Sequence, residues 1–295
     1  GEIDMSTLSK KIDFAIIMGV KNANPNGDPL NGNRPRTDYE GLGEISDVCL
    51  KRKIRDRLVE RYVSLKNEED KKGQAVFVQS DDRKIDGETS LRNRAESEAN
   101  GLGKKAFSTS AKKDETAKSS CVKWFDVRAF GQVFAFGKGN DADGVSIPVR
   151  GPVTIQSAFS TERVSVSSIQ ITKSVSGEGD GTKKSSDTMG MKHRVDSGIY
   201  VTYGSMNPQL AERTGFSDED VEVIKAILPK LFENDASSAR PEGSMAVQKV
   251  IWWEHNCKAG QYSSAKVHKT LTVNPDGTYS LSNLDGLKPE EIDGF

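Results

Sequence analysis

Ile12-Asp13-Phe14-Ala15-Ile16-Ile17-Met18-Gly19-Val20 runs, after one lysine, into Asn22-Ala23-Asn24-Pro25-Asn26-Gly27-Asp28-Pro29-Leu30-Asn31-Gly32-Asn33-Arg34-Pro35-Arg36-Thr37-Asp38, and this junction decides the fold. The first run is nearly continuously apolar and rich in β-formers, as a central strand is. The second is built of Asn, Gly and Pro, which set turns and fix backbone direction without an apolar core. A loop this long between a core strand and a helix is usually functional or disordered. Its Arg34 and Arg36, with the amides of Asn24 and Asn26, suit a grip on something polar and anionic.

Downstream, Ser46 is a good N-cap for a helix reaching about Val63, with Asp47 favourable in the first turn. Leu50, Ile54, Leu58 and Tyr62 recur every four residues and define its buried stripe. Lys51 and Arg55, also four apart, fall on a different face, expected to be exposed. Residues 66–120 turn polar, broken by a strand-like run at 75–79, and read as an irregular insertion with mobile parts. Strand patterns return at 124–136, 147–159 and 164–172. Residues 173–194 carry Gly177, Gly179 and Gly181 close together and read as an extended hairpin or arm leaving the sheet, with 199–203 continuing a strand.

Asn207-Pro208 opens a short helix closed by Gly215, and Ser217 to Asp220 is a capping-box signature for another that Pro229 should bend. A strand at 247–255 follows. Then comes a small hairpin, 271–273 and 279–281, around Asn274-Pro275-Asp276-Gly277. The order strand, helix, strands, helix, strand predicts an α+β fold with a ferredoxin-like β-α-β-β-α-β core, the topology of RRM-type RNA binders.

Composition narrows the function. With 42 basic and 43 acidic residues among 295, no global basic field marks a nucleic-acid binder. Local patches differ: residues 44–63 hold six basic against four acidic side chains, and residues 104–128 seven against three. Positive patches on a neutral chain suit a subunit that holds an anion on one face and meets protein on others. Three scattered cysteines, Cys49, Cys121 and Cys257, argue against a disulfide framework and for a reducing, cytoplasmic compartment. No apolar run approaches membrane-spanning length. Gly1 to Asp4, ahead of Met5, read as a possible added segment and carry no weight.

Each motif has a plain reading beside the functional one. The basic helix reads as a solvated amphipathic face, or as a phosphate contact continuing from the arginine loop into a helix N-terminus that offers free N–H groups. The arm reads as a surface loop, or as a thumb reaching over a ligand, with Lys173 at its start and Met189 and Met191 as wedges against bases. Cys and His residues are too far apart for a zinc site, and Asn140-Asp141-Ala142-Asp143-Gly144 lacks the downstream Glu of a calcium loop, so a hairpin turn is expected there and no metal or other cofactor. His193, His255 and His268 show no nucleophile pattern, and there is no phosphate-binding glycine motif. The aromatic signature of RNA-stacking sheets is also missing around Phe125 to Gly131.

The Asn24-to-Pro29 loop, Arg34-Pro35, Thr37-Asp38 and Ile45-Ser46-Asp47-Val48-Cys49-Leu50-Lys51-Arg52-Lys53-Ile54-Arg55 resemble the repeated backbone subunit of type I CRISPR Cascade complexes, the Cas-seven family, with the nearest likeness to type I-C. Gly151-Pro152-Val153, Ala158-Phe159-Ser160 and Ser237-Ser238-Ala239-Arg240-Pro241 are weaker similar landmarks in the same order.

The resemblance implies a hand-like subunit. Its modified RRM-like palm would span 10–65, 121–172 and 195–260. A fingers insertion would take 66–120 and a thumb β-hairpin 173–194, with a C-terminal hairpin and tail at 261–295. It implies head-to-tail stacking of copies along a CRISPR RNA, with target DNA, a subunit capping the guide 5′ end, and large and small subunits as further partners, and no membrane. Ser46, Lys51 and Arg55 would then bind guide phosphates, with Arg52 on a neighbouring face of the helix, and Asn24, Asn26, Arg34 and Arg36 extend the set from loop chemistry. Contacts to phosphate and ribose would leave base edges free for pairing. Two rivals stand beside this non-catalytic reading: a type III-like RNase using Asp28 or Asp38, and a monomeric RNA-binding module.

Overall fold

The computed structural model describes residues 6–136, 145–183 and 189–295. The possible added segment before Met5 and the turn expected around Asn140 to Gly144 lie outside the described residues.

In chain order, strand β1 (Ile12–Ala23) leads into two short strands paired with each other in the loop, β2 (Gly27–Asp28) and β3 (Arg34–Pro35), then β4 (Leu42–Ile45) and helix α1 (Asp47–Ser64). Helices α2 (Glu68–Lys71), α3 (Leu91–Glu96), α4 (Lys113–Lys123) and α5 (Phe125–Phe130) follow. Next come β5 (Gly131–Phe136), β6 (Val145–Arg150), β7 (Val153–Ile155), β8 (Ala158–Arg163), β9 (Val166–Thr172) and β10 (Met189–Met206). Helices α6 (Pro208–Thr214) and α7 (Asp218–Ile227), strand β11 (Met245–Glu254), helix α8 (Ser264–His268), β12 (Leu271–Val273), β13 (Tyr279–Leu281) and β14 (Glu290–Asp293) complete it.

The central sheet is ordered β14-β11-β1-β10-β8-β4, and the pairs along it are antiparallel. β1 is interior, as its apolar run requires. Its alternate residues Ile12, Phe14, Ile16, Met18 and Val20 pack with Leu50, Ile54 and Leu58 of α1 and Val221, Ile224 and Ile227 of α7. Phe14 fits because Gly204 lies opposite it in the ladder; a Cβ there would sit 2.1 Å from the ring. The other sheet face presents Ala15, Val201, Ile251 and Trp253, covered by Val267, Leu271 and Leu287 of the C-terminal segment.

Local signals set several boundaries. Ser46 accepts from the Cys49 N–H and starts α1. Asn207 accepts from Gln209 and Leu210, and Gly215 ends α6 at φ 80°. Ser217 and Asp220 form the capping box of α7, which passes into a 3-10 turn at Leu228–Lys230 where Pro229 falls.

Three expectations are corrected and one is narrowed. Residues 66–120 lie mostly outside helices and strands, as expected, but they are packed: Phe77, Ala95 and Phe107, with Cys121, close a core with Trp124, Val127, Phe134, Val145 and Ile147. The strand-like run at 75–79 makes only one isolated bridge, Ala75 to Trp124, because it is spent covering that core. The first half of 124–136 is helix α5, where Asp126 and Arg128 bond inward to distant partners. The run at 147–159 is divided among β6, β7 and β8. β14, a polar edge strand on β11, carries no apolar pattern and was not expected.

Candidate nucleic-acid interface

The loop after β1 is built from its own amides. Asn24 is buried; its Nδ2 donates to Asn33 O at 2.8 Å and its N–H to Ala239 O at 2.9 Å, while its Oδ1 has no partner among the described residues. Asn26 Oδ1 accepts from the Ser46 N–H at 2.9 Å and Asn26 O from the Arg36 N–H at 2.9 Å. Asn26 thereby ties the loop to the first turn of α1. Arg34 is exposed, with Nη1 donating to Asn31 O at 3.2 Å; Arg36 is half-buried, its Nε unpaired among the described residues.

On α1, the Ser46 oxygen takes the Cys49 N–H at 3.1 Å, which leaves its hydroxyl hydrogen free to donate outward. The expectation of an exposed Lys51/Arg55 face is corrected. Both are half-buried against the Phe130 ring, with Lys51 Nζ 5.8 Å and Arg55 Cζ 5.1 Å from its centroid. Lys51 Nζ lies 3.9 Å from Asp47, and Arg55 Nε donates to Asp126 Oδ2 at 3.1 Å. Arg52 is the exposed member of the set.

The local positive excess also shrinks. Lys53 is fully buried on Asp235, and Arg57 is buried and donates to Leu231 O. Burial opposes the Asp235 charge, but Lys53 and then Arg240 outweigh it and hold its carboxyl below the usual range. Lys53 shifts the other way, since burial pulls its pKa below the ordinary lysine value despite Asp235. The pair braces α1 against residues 235–241, the segment whose Ala239 carbonyl holds Asn24. Phe130, Asp126 and Asp235 were missed as parts of this arrangement; their partners are too far away in the chain to be read from local pattern.

β9 and β10 pair from Val166 opposite Val195 to Thr172 opposite Met189. Val195 also faces Ala23, the last residue of β1, so the arm leaves the sheet beside the start of the Asn24 loop. Met189 and Met191 alternate on one face of the arm and are 57% and 56% exposed; Lys173 follows β9 and is exposed. The structure thus brings Asn24, Asn26, Arg36, Ser46 and Lys51 together at one end of the sheet, with the arm rising beside them.

The loop aspartates serve their own backbone. Asp28 Oδ1 accepts from the Leu30 N–H at 3.1 Å, and Asp38 Oδ1 from Glu40 and Leu42 at 2.9 and 2.8 Å. Among the described residues no three His, Cys, Asp or Glu side chains gather as a metal ion would need, and no helix is long and apolar enough to cross a membrane.

Among solved structures, a chain of a "CRISPR RNA-guided surveillance complex, pre-nicking" aligns with 91% of this chain and 84% of its own, at 17% identity and a TM-score of 0.47. A chain of a "CRISPR RNA-guided surveillance complex" aligns with 94% and 77%, at 17% identity and a TM-score of 0.45. In sequence, the CRISPR-associated protein Cas7 of Haloferax volcanii is 25% identical over 292 residues, 95% of this chain and 80% of the relative. The family model of the CRISPR-associated protein Cas7 matches residues 10–289, and the chain belongs to that family.

Proposed function

We propose that this chain is the non-catalytic backbone subunit of a CRISPR RNA-guided surveillance complex, of type I-C, which stacks head to tail along the guide RNA and presents it for pairing with target DNA. The observation that carries the reading is the 2.9 Å bond from the Ser46 N–H to Asn26 Oδ1. It joins an arginine-bearing loop to a helix N-terminus with Lys51 one turn inside, a combination that suits a phosphate chain rather than a compact metabolite.

The sheet path β11-β1-β10-β8, with α1 following β1 and α7 following β10, supports the reading of the centre as a ferredoxin-like palm. In this reading residues 66–120 are the fingers and 173–194 the thumb, whose Met189 and Met191 wedge between nucleotides. Ser46, Lys51, Arg52, Arg55 and Lys173 meet phosphates, and Arg34 and Arg36 close the loop over the strand. Contacts between copies are heterologous, so the stack is open and the RNA limits its length. Weak contacts repeated along one RNA give a tight assembly through avidity. The non-catalytic reading is supported by the Asp28 and Asp38 carboxylates, whose bonds serve the turns they sit in.

The test is co-expression with a CRISPR array and the remaining subunits, followed by native mass measurement and RNA protection. Several copies per RNA and protection of the guide are expected; one copy per RNA would refute the stack.

A further inference from the structure

Tyr39 is fully exposed at the tip of a turn that is fixed by its own bonds. The Asp38 N–H donates to Leu42 O at 2.8 Å and the Gly41 N–H to Asp38 O at 3.1 Å, besides the two N–H groups that the Asp38 carboxylate takes. Gly41 closes the turn at φ 87°, where a residue with a side chain would be strained. A large aromatic side chain is thus held out into water on a rigid tip. A tyrosine so placed loses little freedom on docking, because only two side-chain torsions remain to be fixed. Glu40 beside it is exposed and is in no hydrogen bond or ion pair among the described residues.

A pocket of about 200 Å³ opens elsewhere on the chain, between α1 and the 66–120 region, with Val59, Tyr62, Val76 and Trp124 among its walls. The walls are held by bonds of their own. Gln79 Nε2 donates to Val76 O at 2.8 Å and its Oε1 accepts from the Ile85 N–H at 3.0 Å, while Arg94 clasps Asp86 with bonds of 2.6 and 2.9 Å. Two polar side chains of the lining have capacity to spare among the described residues. Lys123 is half-buried and in no hydrogen bond or ion pair, and Asn100, whose Nδ2 donates to Glu88, has an Oδ1 that accepts nothing. The volume falls below the roughly 300–1,000 Å³ of small-molecule sites and suits a single aromatic side chain.

We infer that Tyr39 of one copy enters this pocket on the next copy, with its ring against Tyr62 and Trp124, its O–H donating to Asn100 Oδ1, and Glu40 pairing with Lys123. Charge selects this occupant. Asp38 and Glu40 flank Tyr39, and only Arg163, 3.5 Å from where a Gly41 Cβ would lie, stands against them at the turn among the described residues. Such a tip opposes a phosphate chain and complements an unpaired lysine. Tyr39 does not line its own pocket, so each copy offers a tip and receives another. A knob and a socket at different places on one chain make a heterologous contact, which an open stack requires. The inference rests on the stack proposed above and gives its contact between copies named residues.

The test uses the full chain co-expressed with a CRISPR array and the remaining subunits, with Tyr39 replaced by the photocross-linker p-benzoylphenylalanine. Irradiation should join two copies of the chain, with the link mapped by peptide mass to the segments holding Tyr62 or Trp124. Tyr39→Ala should weaken association between neighbouring copies on one RNA about tenfold or more, the scale of a central interface tyrosine. It should leave unchanged both the melting temperature and the affinity for an RNA too short for two copies. Glu40→Lys should weaken the same association, and adding Lys123→Glu should restore it. Cross-links to RNA or to a different subunit, or wild-type association in Tyr39→Ala, would overturn this contact and leave the proposed function standing. A wild-type chain bound as one copy per RNA would overturn both.

Discussion

Arg55 Nε sits 3.1 Å from Asp126 Oδ2, and the same carboxylate accepts the N–H groups of Phe77 and Val78 at 2.7 and 3.0 Å. One fully buried acid thus binds α1, α5 and the 66–120 region together. Removing one partner of a buried pair strands the other, at roughly 3–5 kcal/mol. Asp126→Ala should lower the melting temperature strongly, and Arg55→Ala less, since Arg55 keeps some solvent. Equal melting temperatures for wild type and Asp126→Ala would remove Asp126 from this role.

The same contact separates Lys51 from Arg55 in what each contributes to stability. Lys51 has only the 3.9 Å approach to Asp47 and the Phe130 ring to lose. Lys51→Ala should leave stability within about 0.5 kcal/mol. It should also weaken guide binding for every sequence and reduce the salt slope by about one. Salt titration of RNA binding checks this, and an unchanged slope would take Lys51 off the RNA.

Tyr200 is fully buried with no hydrogen bond to its hydroxyl among the described residues, and a Cβ on Gly43 would fall 2.1 Å from that oxygen. Burial alone pushes its pKa well above the ordinary tyrosine value. An unpaired buried hydroxyl costs about 1–3 kcal/mol. Tyr200→Phe should therefore hold or raise the urea midpoint, whereas Gly43→Ala should lower it. A clear loss in Tyr200→Phe would mean that the hydroxyl has a partner in solution.

Acid should unfold the chain in two stages. Burial holds the His268 pKa below the ordinary histidine value, outweighing the raising effect of Asp13, so the folded state resists protonation there. That part of the stability falls as pH drops below about 6.5, the unfolded value. Asp13 and Asp235 lie below the usual carboxylate range. For Asp13, burial opposes the charge, but the His255 bond and smaller effects of Ser264, Lys11 and His268 outweigh it. Their stabilisation is complete above about 3.9 and is lost as pH falls through the folded values. Urea midpoints against pH would show both stages, and His268→Gln should flatten the upper one.

Met189 and Met191 stand clear of the core. Met189→Ala with Met191→Ala should leave the melting temperature nearly unchanged and loosen the regular nuclease footprint on the guide. A footprint identical to wild type would move the wedge elsewhere on the arm.

Much of the fold was legible where local chemistry decides it. The caps at Ser46, Asn207 and Ser217, the terminator Gly215 and the hairpin around Asn274 to Gly277 stand where their residue types predict. Where tertiary partners decide, the sequence misled. Trp124 to Phe130 alternates like a strand, yet Asp126 and Arg128 are drawn inward to Arg55 and Asp220, and the backbone coils. Lys53 counted as surface charge, because nothing near it in sequence announces Asp235, 182 residues away. Phe77, Ala95 and Phe107 are too sparse to show a period, and their core becomes visible only beside Phe134 and Ile147. For the candidate site, the loop and helix were readable as a unit, but the burial of Lys51 and Arg55 on Phe130 was not.

β10 is a single strand of 18 residues whose one end is the middle of the sheet and whose other end is the arm. Its pairing with β1 stops at Ala23 opposite Val195, while its pairing with β9 runs on from Val195 to Met189. The arm is therefore a lever with its fulcrum at Val195, and no joint lies between the fulcrum and the Met206 end of the strand. A pull on Met189 is carried along one backbone to Met206 and the Asn207 cap, so strain applied at the tip by a bound strand would register at the far side of the sheet.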